Sequence, residues 1–166
     1  MAVRHVLVRR SPEAVWAVLS DGERYAEWVV GTERSHQLDG WPAVGAALRW
    51  SVRIGPWRLR GDTVVRRCEP PTELQLEARS GSLGSARIAI EVLPWGEDAL
   101  LIVDEHPLSG PGSRWHNGVV DALLQLRHRA MLRRLAGLIE RSAPPGARAT
   151  SGGGPGRVAE GDTGPW

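Results

Sequence analysis

The sequence has no phenylalanine, no lysine among its 21 basic residues, and one cysteine in 166 residues. The lone Cys68 excludes an intrachain disulfide and a zinc site built from thiolates, and this usage fits a reducing compartment best. Neither the N-terminal residues nor any later stretch holds a continuous apolar run of signal-peptide or membrane-spanning length. We therefore expect a cytoplasmic protein without membrane insertion.

The sequence motifs of common catalytic and metal sites are also absent. The chain contains no H-E-x-x-H, no nucleophile elbow, no paired-carboxylate spacing and no Gly-rich phosphate loop. We therefore expect neither a metal nor a cofactor. The arginines are interspersed with 19 acids and the net charge is only +2, a pattern more typical of a solvated surface than of a nucleic-acid-binding one.

What the chain does have is a long amphipathic pattern near its C-terminus. Apolar residues recur there at helical spacing, namely at Val120, Leu123, Leu124, Met131, Leu135 and Leu138. This spacing predicts a helix from about Ser113 to Arg141, roughly 40 Å long, with one buried face. The opposite side is predicted to be wetted and carries Gln125, Arg129, Arg133 and Ala136. Arg127 falls inside the apolar stripe.

The residues before this helix predict strands and short helices. A strand over Val3–Val8 precedes a helix start at Ser11-Pro12-Glu13, where serine caps, proline occupies the first turn and the acid faces the helix dipole. A second short helix is predicted from about Glu23 to Trp28. From Thr32 the apolar pattern alternates with period two through six strands separated by short turns, which predicts an antiparallel meander.

The predicted order is therefore strand, two helices, six strands and one long helix, an α+β domain over residues 1–141. Its sheet, strongly curved, would wrap around the C-terminal helix and leave a hollow between the two. Residues 142–166 are rich in Gly and Pro with little apolar content. We expect them to form a disordered tail.

Three segments carry a family resemblance: Ser-Pro-Glu-Ala-Val-Trp at 11–16, Tyr-Ala-Glu-Trp-Val-Val-Gly at 25–31, and Ala-Leu-Leu-Gln-Leu-Arg-His-Arg-Ala-Met-Leu-Arg-Arg-Leu-Ala at 122–136. With the element order, they resemble the START-like helix-grip superfamily, also called SRPBCC or Bet v 1-like. Within it the chain looks most like actinobacterial polyketide cyclase/dehydrase-type proteins. The resemblance implies a pocket between sheet and C-terminal helix for a lipid, polyketide, steroid or similar aromatic, and relatives include both enzymes and binders.

We predict a ligand-binding set from the apolar alternation, the tryptophans and the long helix. Large aromatic side chains can stack on an aromatic ligand or fill the core. The predicted set is Trp28, Trp50, Val52, Leu59, Leu76, Ile88, Ile90, Val120, Leu123 and Arg127.

Arg127 is also the main candidate for chemistry, because a guanidinium on a buried face needs a partner. It would form an ion pair with Asp104 or Glu105, the favoured reading, or anchor an anionic group of the ligand. His36 and His116 are weaker candidates for proton transfer in a cyclisation or dehydration, as is His106. None of the histidines shows a partnering pattern, so a structural role is favoured for each.

The alternative function is a protein- or RNA-interaction module of the same fold without a ligand. It would use a basic stripe on or beside the strands, formed by Arg9, Arg10, Arg49, Arg53, Arg58 and Arg60. Protection of sheet edges by charge explains these arginines more simply. Arg66 and Arg67 could lower the pKa of Cys68 if the thiol were exposed, but an ordinary strand residue is the simpler interpretation.

Overall fold

A computed structural model describes residues 2–54, 56–81, 84–109 and 118–143. The strands are β1 (Ala2–Val8), β2 (Thr32–Gln37), β3 (Ala47–Ile54), β4 (Trp57–Glu69), β5 (Glu73–Ser80), β6 (Gly84–Trp95) and β7 (Asp98–Ser109). The helices are α1 (Pro12–Leu19), α2 (Tyr25–Trp28) and α3 (Gly118–Ser142). This order confirms the predicted α+β fold.

The seven strands form one curved antiparallel sheet in the order β1-β7-β6-β5-β4-β3-β2. All pairs from β2 to β7 are sequential neighbours along the chain, as expected for a meander with short turns. β1 joins the sheet beside β7, so β1 and β2 are its two edges. The connection from β1 to β2 runs through α1 and α2.

Helix α1 begins as its sequence predicts. The Ser11 hydroxyl accepts a hydrogen bond from the Ala14 backbone N–H, and Pro12 occupies the first turn. The second predicted helix, Glu23–Trp28, is divided into a 3₁₀ turn over Gly22–Arg24 and the single turn of α2. Because the Asp21 carboxylate accepts from the Glu23 N–H, the turn begins one residue earlier than predicted.

The core lies between one face of the sheet and the three helices. We call this the inner face. On α3 the predicted apolar residues Met131, Leu135 and Leu138 are buried, and Arg129 and Arg133 are exposed as predicted. None of the helices in the described ranges is long and apolar enough to cross a membrane.

The buried stripe of α3 is wider than predicted. Ala136, expected on the wetted side, is only 8% exposed, and Leu132 and Ile139 are buried as well. The prediction for Ala136 is wrong because α3 packs against β1 and also against α1 and α2. Neighbours on two sides cover more of the helix circumference than one sheet face would.

The C-terminus of α3 is fixed by Arg10, which follows β1. Its Nε donates to the Ala143 carbonyl oxygen at 2.7 Å and its terminal nitrogen to the Glu140 carbonyl oxygen at 2.6 Å. These carbonyls belong to the last turn and the end of α3, where intrahelical donors run out and the helix dipole is negative. Arg10 is therefore a helix cap, which corrects its predicted place in a surface stripe.

Candidate functional site

The inward residues at one end of β3 and β4 are less completely buried than the rest of the core. At one end of the sheet the inward side chains are fully buried, with Leu48, Val65 and Leu76 at 0% exposure. Toward the other end, Trp50 and Val52 on β3 and Leu59 on β4 are only half-buried. Because Val52 pairs with Leu59, and Trp50 with Gly61 next to it, these residues are contiguous.

Small residues continue this region across the sheet. The cross-strand register places five of them on the inner face of β4, β5 and β6 beside Trp50, and all five are half-buried: Gly61, Ala78, Ser80, Gly84 and Ala86. We call this set the small-residue floor. Short side chains leave room for a guest above a sheet, so the floor together with Trp50 is the candidate ligand site on the inner face, and we call this region the hollow.

The orientation of Trp50 is set by two neighbours on β4. A Cβ at position 61 would overlap the Trp50 ring and the Arg79 carbonyl oxygen, so glycine lets the ring lie across the strand. The indole Nε1 then donates to the Thr63 hydroxyl oxygen at 3.0 Å. The ring therefore has one side on Gly61 and an anchored edge, and it remains partly accessible.

Tyr25 connects this cluster to the helices. Its hydroxyl lies 3.3 Å from the Thr63 hydroxyl, which has no solvent exposure. The Tyr25 ring packs edge-on against Trp28, with ring centroids 5.2 Å apart. Sequence reasoning missed Tyr25 and Thr63. The sequence does hold a signal for Thr63, because it occupies an inward position in the apolar alternation of β4. A threonine buried there needs a hydrogen-bond partner.

The predicted ligand-binding residues fall into three groups. Trp28, Leu76, Ile88 and Ile90 are at most 5% exposed and belong to the packed core. Trp50, Val52 and Leu59 line the hollow. Val120, Leu123 and Arg127 lie on α3, but their side chains are outside the described part of the chain, as is the whole of His116.

Two charged side chains of the described strands lie on the inner face, Arg4 and Glu105. Arg4 pairs with the buried Val103, and Glu105 pairs with the buried Ile88. Asp104 lies on the opposite, outer face, where its carboxylate is 2.7 Å from His106 Nε2. Of the two acids predicted to face α3, Glu105 is therefore the one on the helix side.

His36 and His106 do not face the hollow. The His36 side chain is 74% exposed at the β2 edge, with Nδ1 3.0 Å from a Glu23 carboxylate oxygen. Strand alternation puts it in register with the exposed Arg49, and it puts His106 in register with the exposed Arg87. This placement does not favour proton transfer by His36 or His106 in a cavity beneath α3, and it agrees with the structural role favoured for each from the sequence.

Cys68 is an ordinary strand residue. Burial raises the pKa of its thiol, so the thiol stays protonated near neutral pH and is a poor nucleophile. Arg66 is engaged by Glu77 at 2.7 Å and Arg67 by Glu69 at 2.8 Å. The two arginines are therefore committed to carboxylates, and the lowered thiol pKa considered from the sequence does not occur.

Glu77, on the outer face, is bound by two arginines. Hydrogen bonds from Arg79 and then Arg66, both at 2.7 Å, hold the pKa of the Glu77 carboxyl below its ordinary value. This group lies on the outer face in register with Arg87. It contributes to stability and not to the hollow.

Comparisons with known proteins agree with this architecture. The family model described as "Polyketide cyclase / dehydrase and lipid transport" matches residues 2–140. No curated protein sequence matches the chain.

Solved structures resemble the chain over most of its length. A START superfamily protein from Mycobacterium smegmatis has 18% identity and a TM-score of 0.68, over 86% of this chain and 98% of its own. A Thermus thermophilus protein has 14% identity and a TM-score of 0.66, over 86% and 99%. The Zhui aromatase/cyclase from a Streptomyces species has 16% identity and a TM-score of 0.63, over 84% and 93%. At these identities the likeness establishes the fold.

Proposed function

The chain belongs to the polyketide cyclase/dehydrase and lipid transport family, and on this basis we propose that it binds a hydrophobic small molecule between the sheet and α3. The ligand class we propose is a polyketide or another polycyclic aromatic. Family membership supports hydrophobic ligand binding or cyclase chemistry in general. The choice of an aromatic ligand rests on the site itself.

The observation that carries this proposal is the anchored, partly accessible Trp50 ring beside the small-residue floor. A ring fixed by Gly61 and by its bond to Thr63 loses little freedom when a second ring stacks on it. Val52 and Leu59 add apolar wall next to the ring. A flat apolar guest would cover these surfaces and gain burial energy in proportion to its area.

The proposal is tested by extraction and by titration. Denaturing extraction of the purified chain, followed by mass spectrometry, should release an apolar organic compound in stoichiometric amount. If the chain purifies empty, calorimetric titration with 1,8-dihydroxyanthraquinone should show saturable binding. The Trp50→Leu variant should bind about tenfold more weakly, since ring stacking and buried area are lost.

The matched control is Trp95→Leu. Trp95 is 62% exposed at the end of β6, so its replacement should leave the affinity unchanged. Equal weakening by both variants, or no binding to any polycyclic aromatic in a broad library, would remove the proposal.

A second candidate is catalysis in the same hollow, and the inward Glu105 favours it. A half-buried carboxylate on the inner face can accept a proton from a ligand that lies over the adjacent floor residue Ala86. Cyclisation or dehydration of a polyketide requires such proton transfers. Glu105→Gln should then abolish turnover of a poly-β-ketone substrate and leave its binding intact, whereas equal losses of turnover and binding would reduce the protein to a binder.

A further inference from the structure

On the outer face, opposite the core, strands β2, β3 and β4 form a pocket of about 600 Å³. Six outward residues line it, namely Arg34, His36, Arg49, Ser51, Arg60 and Asp62, and the intervening Ser35, Trp50 and Gly61 line it as well. These outward side chains are charged or polar, unlike the inward side chains of the hollow. The outward side chains of this pocket and the inward side chains of the hollow point to opposite sides of the sheet, and Trp50 and Gly61 contribute to both sites.

The register of the three strands places Arg34, Ser51 and Arg60 in one row. Arg34 pairs with Ser51 across β2 and β3, and Ser51 pairs with Arg60 across β3 and β4. Since neighbouring strands are about 4.8 Å apart, the two arginine backbones are separated by roughly 10 Å. Two guanidinium groups thus flank one hydroxyl.

The charge of this row is not neutralised by ion pairs among the described residues. Within the described ranges, neither Arg34 nor Arg60 forms an ion pair, whereas Arg49 lies 3.8 Å from Asp62 and Arg58 lies 3.2 Å from Glu33. The guanidiniums of Arg34 and Arg60 lie on either side of Ser51 and carry the same charge, so they repel each other through space. An anion held between the two free guanidiniums would turn this repulsion into attraction.

We propose that this pocket binds a phosphate ester, with Arg34 and Arg60 on two sides of the phosphoryl group and Ser51 donating a hydrogen bond between them. A phosphoryl group carries a charge of about −1.5 to −2 at pH 7, which matches two guanidiniums, whereas a carboxylate or sulfate ester carries one negative charge. Arginine pairs with phosphate oxygens through two parallel hydrogen bonds.

The chemical class is tested with matched probes. Glucose 6-phosphate and glucose 6-sulfate have the same sugar, and neither is apolar enough to compete for the inner-face hollow. Calorimetric titration at low salt should show saturable binding of the phosphate, at least tenfold tighter than that of the sulfate. Equal affinity for the two esters, or no binding of the phosphate, would overturn the proposal for a free ester.

The residues are tested with one double variant in the pocket and a charge-matched double variant outside it. Arg34→Gln/Arg60→Gln should weaken glucose 6-phosphate binding at least tenfold, because charge-assisted bonds are lost. The charge-matched control Arg129→Gln/Arg133→Gln, on exposed positions of α3, should leave it unchanged. Equal weakening by the two double variants would contradict the assignment.

Asp62→Asn provides a test that does not depend on loss of function. Asp62 is the acid among the lining residues, and its removal should tighten glucose 6-phosphate binding several-fold. Weaker binding of glucose 6-phosphate to this variant would contradict the proposal that the positive charge of the pocket binds the phosphoryl group.

The phosphoryl group could be free or carried by a lipid headgroup, and a vesicle assay separates these sources. A lipid headgroup would be identified as the source if the protein cosediments with phosphatidylcholine vesicles that contain phosphatidic acid but not with vesicles of phosphatidylcholine alone. This cosedimentation should be lost in Arg34→Gln/Arg60→Gln. If neither the vesicles nor glucose 6-phosphate bind, the site is not a phosphate site. This inference does not rest on the hydrophobic ligand, so either proposal can fail alone.

Discussion

The Trp50 indole Nε1 donates a hydrogen bond to the hydroxyl oxygen of Thr63, which is fully buried, at a distance of 3.0 Å. This bond joins the inward side chains of adjacent strands and determines where the Trp50 ring lies. Since Tyr25 reaches the same hydroxyl from α2, one oxygen connects the sheet, the helices and the wall of the proposed ligand site.

Thr63→Val tests this bond with little change in shape. The variant leaves the indole N–H without its partner, so the free energy of unfolding should fall by about 1–2 kcal/mol. The same variant should weaken binding of 1,8-dihydroxyanthraquinone, because the ring is no longer held. The control is Thr72→Val, whose hydroxyl bonds the Glu69 carbonyl at the surface. A similar loss of stability in both variants would contradict a special role for Thr63.

Gly61→Ala and Gly137→Ala add the same methyl group, but their expected effects on the free energy of unfolding have opposite signs. At position 61 the new methyl group meets the Trp50 ring and a β5 carbonyl oxygen, so unfolding stability should fall by about 2–3 kcal/mol. At position 137, inside α3, it approaches only the flexible end of Arg141. Alanine should stabilise that helix by about 0.5–1 kcal/mol. Urea denaturation distinguishes the two results, and a stable Gly61→Ala variant would refute the close packing of Trp50.

Arg10→Met tests the cap of α3. Methionine keeps much of the apolar stem but cannot donate to the Ala143 and Glu140 carbonyl groups, so stability should fall by about 1–3 kcal/mol. Arg9→Met is the neighbouring control, because the Arg9 side chain is exposed, and its effect should stay within about 0.5 kcal/mol. Thermal unfolding of the two variants provides the comparison, and equal effects would argue against the cap.

The stability of the chain should depend on pH through Glu77. Its pKa is lower in the folded protein than in the unfolded chain, because Arg79 and Arg66 bind the charged carboxylate. The resulting stabilisation is complete above the ordinary glutamate pKa of about 4.3 and is lost as the pH falls below it and through the folded value. Glu77→Gln should flatten this part of the stability profile, measured by denaturation at several pH values. An unchanged profile would contradict the predicted coupling.

Sequence patterning predicted the backbone architecture well because the patterns are local. Alternation marked the strands, and Ser11 and Pro12 marked the start of α1. The twist of a long antiparallel sheet beside an amphipathic helix predicted the wrapped arrangement, and the family resemblance agreed with it. The burial of Ala136 was missed because it depends on α1 and α2 packing beside α3.

The site was predicted only in part. Trp50, Val52 and Leu59 follow from alternation, but the small-residue floor depends on cross-strand register, which a single strand does not encode. Arg10 likewise looked like a surface arginine, and only the return of the chain through α3 gives it partners 130 residues or more away. Long-range contacts of this kind leave no local periodicity in the sequence.

The most direct test of the proposed hollow is to fill it. Ala86 lies in the small-residue floor on the inner face of β6, and Ala89, three residues later, lies on the outer face in register with Asp104. Calorimetric titration with 1,8-dihydroxyanthraquinone should show at least a tenfold loss of affinity for Ala86→Leu, without a lower melting temperature, and no loss for Ala89→Leu. Undiminished binding of 1,8-dihydroxyanthraquinone to a folded Ala86→Leu variant would contradict the account. A large loss of stability in Ala86→Leu, as expected when a side chain is forced into a filled core, would also contradict it.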